Sequence, residues 1–222
     1  MAVSSTPRIL RGTASDPALV REARGCPWAP PGRLVELCAG PDAAQTSVAV
    51  MVLREAQAEG DPVAWVLPRG AGLFPPDLAA AGLDLDALIV VHVPPEDASA
   101  APRAAELILR TGAFGAIVVD LSRSSDTHGS AVPRGVAWQG RLIGLAREHA
   151  TRLLVLSPNG ATRASLGPLV SLRWGVRRAR IAPGRFRVES TVVKDKSGLI
   201  ASGDAAQASG RGTSCRAPVG MR

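Results

Sequence analysis

Short apolar runs recur along the chain, and each is followed by a segment with apolar positions at helical spacing. Residues 34–38 form the first run, and a helix over 44–59 follows, closed by Gly60-Asp61-Pro62. A second strand is predicted at 63–67. Pro75-Pro76-Asp77 then opens a short helix through Ala81, with Gly82 beyond its end. Residues 87–93 (ALIVVHV) make a continuous apolar strand. The helix over 98–110 puts Ala101, Ala104, Ala105, Ile108 and Leu109 on one face, and Thr111-Gly112 stops it. Residues 116–119 read as a fourth strand ending at Asp120, 122–134 as a polar loop, 135–150 as a helix and 153–156 as a fifth strand. Strands and helices in this alternation predict a mostly parallel central sheet with helices on both faces, an α/β fold.

After Ser157 the pattern changes. Ser157-Pro158-Asn159-Gly160 reads as a turn, while 170–176 and 185–194 read as strands. Phe186, Val188, Val192 and Val193 suit antiparallel strands at the sheet edge, here the C-terminal one. The flanks lack such periodicity. Residues 1–31 form a lead-in with one short helix at 16–24, broken by Pro27, Pro30 and Pro31. Residues 199–222 are small and polar and are expected to lack fixed structure. The organisation is therefore 1–31, a core at 32–198, and a tail at 199–222.

Composition narrows the class. A chain of 222 residues with 46% apolar content suits one domain with a sizeable core, and 3% aromatics with no Tyr makes that core aliphatic. The net charge of +7 favours an acidic partner, either nucleic acid or an acidic protein face. Arg supplies nearly all of it, since the only lysines are Lys194 and Lys196; codon bias of a high-GC genome gives the same pattern. Cys26, Cys38 and Cys215 form no CxxC or Cys/His cluster, which fits a reducing compartment without a zinc site. His92, His128 and His149 have no partner at ligand or triad spacing, and His92 is expected at the core edge. No run reaches the ~18 apolar residues of a membrane span, and no secretory signal is visible. Cytoplasm is the expected location, with nucleoid association as a variant of it.

The first strand and helix bracket Gly40-Pro41-Asp42-Ala43-Ala44-Gln45-Thr46-Ser47. Strand, loop and helix in that order are the frame of a phosphate-binding P-loop, G-x-x-x-x-G-K-[ST]. Counted from Gly40, the first glycine and the final hydroxyl of Ser47 are present, while Gln45 replaces the second glycine and Thr46 the lysine. The second glycine lets backbone N–H groups close on phosphates, and the lysine supplies a point charge. One lost charge-assisted hydrogen bond costs ~1.5–3 kcal/mol. No cofactor is expected to be held.

The order of elements resembles the core ATPase domain of the RecA recombinase family. The likeness rests on GRLVELCAGPDAAQTSVAV at 32–50, GLDLDALIV at 82–90, TGAFGAIVVD at 111–120 and RFRVESTVVKDKSG at 185–198. It implies a RecA-like fold over 32–198 and a metal-linked acid at Asp120. It also implies a catalytic glutamate after the second strand, where Leu67–Gly72 holds no acid, and DNA-binding loops after the fourth and fifth strands, here short or nearly absent. No counterpart of the long filament-assembly helix is evident in 1–31. A RecA-like chain with these departures is similar to the ImuA translesion-synthesis accessory proteins, a likeness resting on the Gly-Pro-Leu-Val-Ser-Leu-Arg-Trp run, the Arg cluster and VVKDKSG. It implies a non-enzymatic role in damage-induced mutagenesis with an ImuB-like inactive Y-family polymerase homologue, and with RecA as a further partner. A nucleotide-dependent, DNA-binding RecA-class ATPase and a SulA-type cell-division inhibitor are the alternatives.

Two sites follow. Gly40, Pro41, Asp42, Gln45, Thr46, Ser47 and Asp120 make up a degenerate nucleotide site, to be read as residual nucleotide binding or as a relic kept for the fold. Arg173, Arg177, Arg178, Arg180, Arg185 and Arg187 crowd around Trp174 and Phe186. They suit phosphate contact on an aromatic platform, docking of an acidic protein, or a solvated face. The loop at 122–129 is a further candidate for DNA contact, with a plain surface loop as the alternative.

Overall fold

The computed structural model describes residues 28–122, 133, 135–182, 185–196, 198 and 215–216. The helix expected at 16–24, most of the polar loop at 122–134 and most of 199–222 lie outside the described residues.

In chain order the elements are β1 (Leu34–Ala39), α1 (Gln45–Ala58), β2 (Val63–Pro68), α2 (Pro75–Ala80), β3 (Leu88–Val93), α3 (Ala100–Arg110), β4 (Ala116–Asp120), α4 (Ala137–Glu148), β5 (Arg152–Gly160), β6 (Leu172–Ala182), β7 (Arg185–Asp195) and β8 (Cys215–Arg216). Among the described residues they build one sheet in the order β3-β2-β4-β5-β1-β6-β7-β8. β3 through β6 are parallel in that order, and β6-β7-β8 are antiparallel. The expected α/β architecture is the observed one.

The central strands read as unbroken apolar runs because both of their faces are covered. Val35, Leu37, Trp65 and Leu67 pack against Val48, Val52 and Leu53 of α1 and Leu78 of α2. Leu34, Val66, Ile117, Val119, Leu153 and Val155 pack on the other face against Ala105 and Leu109 of α3 and Leu142 and Ala146 of α4. Each strand supplies both layers by its two-residue alternation.

Two expectations are corrected. Ser157-Pro158-Asn159-Gly160 is not a turn but the end of β5, which runs on to pair Gly160 with Ala39. The register shifts between Leu37 and Ala39, so Pro158 sits in an irregularity that needs no ladder N–H. β3, apolar but for His92, is not a covered strand but the sheet edge, and it leaves Ile89 49% and Val90 38% exposed. The chain steps outward to β3 and returns, inserting β4 between β2 and β5. His92 is exposed on this edge.

Candidate functional site

The strand–loop–helix at the centre of the sheet is built as the sequence predicts, but its groups are turned inward. α1 begins at Gln45, whose side chain is 8% exposed. Its Nε2 donates to the Leu37 carbonyl at 2.7 Å and to the Ser157 carbonyl at 2.9 Å, joining the ends of β1 and β5. The loop backbone is engaged as well. Ala43 N–H donates to Gly40 O at 3.1 Å, and Ala44 N–H donates to Val176 O at 3.2 Å. Arg178 N–H donates to Asp42 O at 2.7 Å, so the loop lies along β6. The left-handed residue is Asp42, with φ 55°, while a Cβ on Gly40 would meet nothing within 4 Å. Neither conformation nor space requires a glycine at position 40. Pro41, Asp42 and Thr46 are exposed, and Ser47 is half-buried.

Counted from the start of α1, the lysine position falls on Gln45 and the second-glycine position on Ala44; counted from Gly40, they fall on Thr46 and Gln45. In neither register is there a lysine. The two lysines of the chain are held elsewhere: Lys194 Nζ donates to Gly167 O at 3.4 Å and Lys196 Nζ to Pro168 O at 3.0 Å. Asp120, 4% exposed, ends β4 and accepts from the N–H and hydroxyl of Ser122 at 2.9 and 2.6 Å. It caps the turn that leaves the strand.

The segment between β5 and β6 is clamped from below. Glu36, wholly buried, accepts from Ser165 Oγ at 2.7 Å and Leu166 N at 3.1 Å. Arg173, 3% exposed, donates to Arg163 O at 2.7 Å and Gly160 O at 3.0 Å, and its Nε lies 3.2 Å from Glu36 Oε1. Gln139 donates to Leu166 O and accepts from Leu169 N. Burial, reinforced by neighbouring Lys196, lowers the pKa of the Lys194 ammonium. Burial pushes the Cys38 thiol up to about 11, against the pull of Arg173. Sequence reading missed Glu36 and Gln139. A lone acid inside the apolar run LVELC was the available signal for Glu36.

The arginine cluster does not converge. Arg173 and Trp174 belong to the core: Trp174 is fully buried, packs on Trp28 at 5.1 Å between ring centroids, and donates from Nε1 to Trp28 O at 3.1 Å. Residues opposed in an antiparallel pair share a face. The pairs Arg178–Val188 and Arg180–Phe186 therefore lie on one face of the β6–β7 hairpin, and Arg177–Glu189 and Ala179–Arg187 on the other. Arg177 Nη2 pairs with Glu189 at 2.6 Å, and the Arg178 guanidinium stands 5.9 Å from the Phe186 ring centre. Arg185 opens β7 opposite Ala182.

No family model matches the chain. It is 33% identical over 133 residues to the protein RecA of Clostridium acetobutylicum, covering 58% of this chain and 37% of that one. It is 31% identical over 149 residues to RecA of Corynebacterium jeikeium (65% and 39%) and 31% over 151 residues to RecA of Salinispora tropica (66% and 42%). Over the matched residues the chain is similar to RecA. It spans about two fifths of the length of the curated relatives it matches.

Within this RecA-like frame, the loop, Asp120 and the ends of β1, β4 and β5 lie together at the carboxyl ends of the parallel strands, the usual ligand edge of such sheets. The residues of the loop at 123–129 lie outside the described residues. Among the described residues no group of three or more His, Cys, Asp or Glu could hold a metal ion, and no helix is long and apolar enough to cross a membrane.

Proposed function

We propose that this chain is a non-catalytic RecA-like accessory protein in DNA-damage tolerance, of the ImuA kind, which acts by contact with other proteins. The observation that carries the reading is the inward turn of the loop. A phosphate cradle needs backbone N–H groups aimed at the anion and a lysine beside them. Here the N–H groups of Ala43 and Ala44 bond within the protein, and Gln45 occupies the base of the loop with a neutral amide. The two lysines hold the Gly167 and Pro168 carbonyls instead. The unpaired edge of β3, with Ile89 and Val90 half exposed, supports a protein partner; an ImuB-like polymerase homologue and RecA are the partners assigned here.

The test is a thermal-shift titration with Mg-ATP together with phosphate release. No shift and no turnover are expected, and turnover that disappears on Asp120→Asn overturns the reading. Co-purification with the polymerase homologue, lost on Ile89→Lys, tests the partner separately.

A further inference from the structure

β7 pairs with β6 along its whole length, but on its other side only two residues meet it. Arg185 pairs with Arg216 and Phe186 with Cys215, antiparallel, at the start of β7. Among the described residues nothing pairs with the outer edge of 187–192. A strand edge left bare presents unpaired N–H and C=O groups in alternation. Ser190 adds a deficit of its own: it is 6% exposed, and its hydroxyl has no hydrogen-bond partner among the described residues. A buried hydroxyl without a partner is costly.

The register of β8 says which residues pass along that edge. β8 runs antiparallel to β7 and lies at its far end, so the chain leaving Gly198 returns the length of β7 to reach Cys215. Continuing the two observed pairs places Thr213 opposite Val188, Gly212 opposite Glu189, Arg211 opposite Ser190 and Gly210 opposite Thr191. That register is regular up to Val192, where the β6–β7 ladder skips Val193. Residues 196–208 remain for the reversal, and closing a loop of that length costs little more than closing a shorter one. The side chains fit. Arg211, a donor, shares a face with the Ser190 hydroxyl. Gly210 and Gly212 fall on the opposite face, where they leave the Arg177–Glu189 ion pair uncrowded. Composition alone expects no fixed structure in 199–222, but the ladder at Cys215–Arg216 points the other way.

We propose that residues 209–214 of this chain add as a strand to the outer edge of β7, so that β8 is the end of a longer hairpin rather than a two-residue contact. The two glycines keep the added strand weak, since Gly packs poorly in a ladder. With it in place β3 is the sheet edge left open to another chain, and strand addition by a partner is directed to one side of the molecule. The inference is independent of whether the nucleotide loop binds ATP and of which partner β3 takes.

Hydrogen exchange on the full chain, read at single amides of 187–192, tests the ladder. In the wild type, the amides of this stretch that do not donate to β6 are expected to exchange at least ~10-fold more slowly than in an unstructured chain. Of Gly212→Pro and Thr213→Pro, one removes a tail N–H that points at β7, because N–H directions alternate along a strand. That variant should speed exchange at the outward amides ~10-fold or more, while the amides bonded to β6 keep their rates. Unprotected outward amides in the wild type overturn the proposal, as does a lack of response to both prolines. Cross-linking tests the register separately, in a Cys26→Ser/Cys215→Ser background. Ser190→Cys with Arg211→Cys should form an intrachain disulfide at least ~10-fold faster than Ser190→Cys with Gly212→Cys, because only the first pair is directly opposed on one face. Equal rates, or bonds between chains alone, overturn it.

Discussion

Gln45 does structural work at the place where the sequence pattern points to phosphate chemistry. Its amide satisfies two strand-end carbonyls from different strands, so Gln45→Ala leaves both without their donor. A loss of ~1–3 kcal/mol is expected in a urea unfolding curve. Gln45→Lys restores the charge, yet Ala43 and Ala44 N–H still point into the protein; calorimetry with Mg-ATP should therefore show no heat of binding. The Glu36–Arg173 pair obeys a different logic, since both groups are buried and Arg173 holds the Arg163 and Gly160 carbonyls as well. Arg173→Met strands a buried carboxylate and should cost about 3–5 kcal/mol, and adding Glu36→Gln should recover part of it. Cys38 stays protonated well into the alkaline range because burial opposes the thiolate. At pH 8, iodoacetamide is expected to label it only after unfolding, as read by peptide mass.

At the scale of elements, the parallel strands and the helices between them were legible because the two-residue and 3.6-residue periods are clean. The end of β5 was not, because Pro158, Asn159 and Gly160 carry turn chemistry, and the bulge in β5 that holds Ser157, Pro158 and Asn159 opposite Cys38 shows only once the strand pairs with β1. The edge position of β3 was equally hidden, since ALIVVHV reads the same in the middle of a sheet as at its rim. For the candidate sites, residue type was informative and direction was not. Arg173 and Trp174 look like neighbours of Arg177 in the sequence, but they lie on the part of β6 that pairs with β1, which places them in the core. Gly167 shows the same dependence on partners. A Cβ there would collide with the Gln139 amide, so Gly167→Ala should lower the thermal midpoint by several degrees while a nearby exposed change such as Thr162→Ala leaves it unmoved.

For the whole molecule, charge and apolar exposure fall at opposite ends of the sheet. The arginines gather on β6 and β7, while β3 carries no charged side chain and is flanked by Asp84, Asp86, Glu96 and Asp97. An uncharged apolar edge invites strand addition by other chains. Val90→Lys is accordingly expected to reduce concentration-dependent light scattering without lowering the urea midpoint.

The packing of Trp28 on Trp174 has an optical consequence. All four tryptophans are buried, with exposures of 8, 0, 5 and 0% for Trp28, Trp65, Trp138 and Trp174, and the chain has no Tyr. The emission of the native protein therefore comes from indoles shielded from water, undiluted by tyrosine, and a red shift on unfolding reports the opening of the sheet itself. Because Trp28 and Trp174 are 146 positions apart in the chain yet in tilted ring contact, a change confined to that pair marks release of the β6 side of the core from the segment leading into β1.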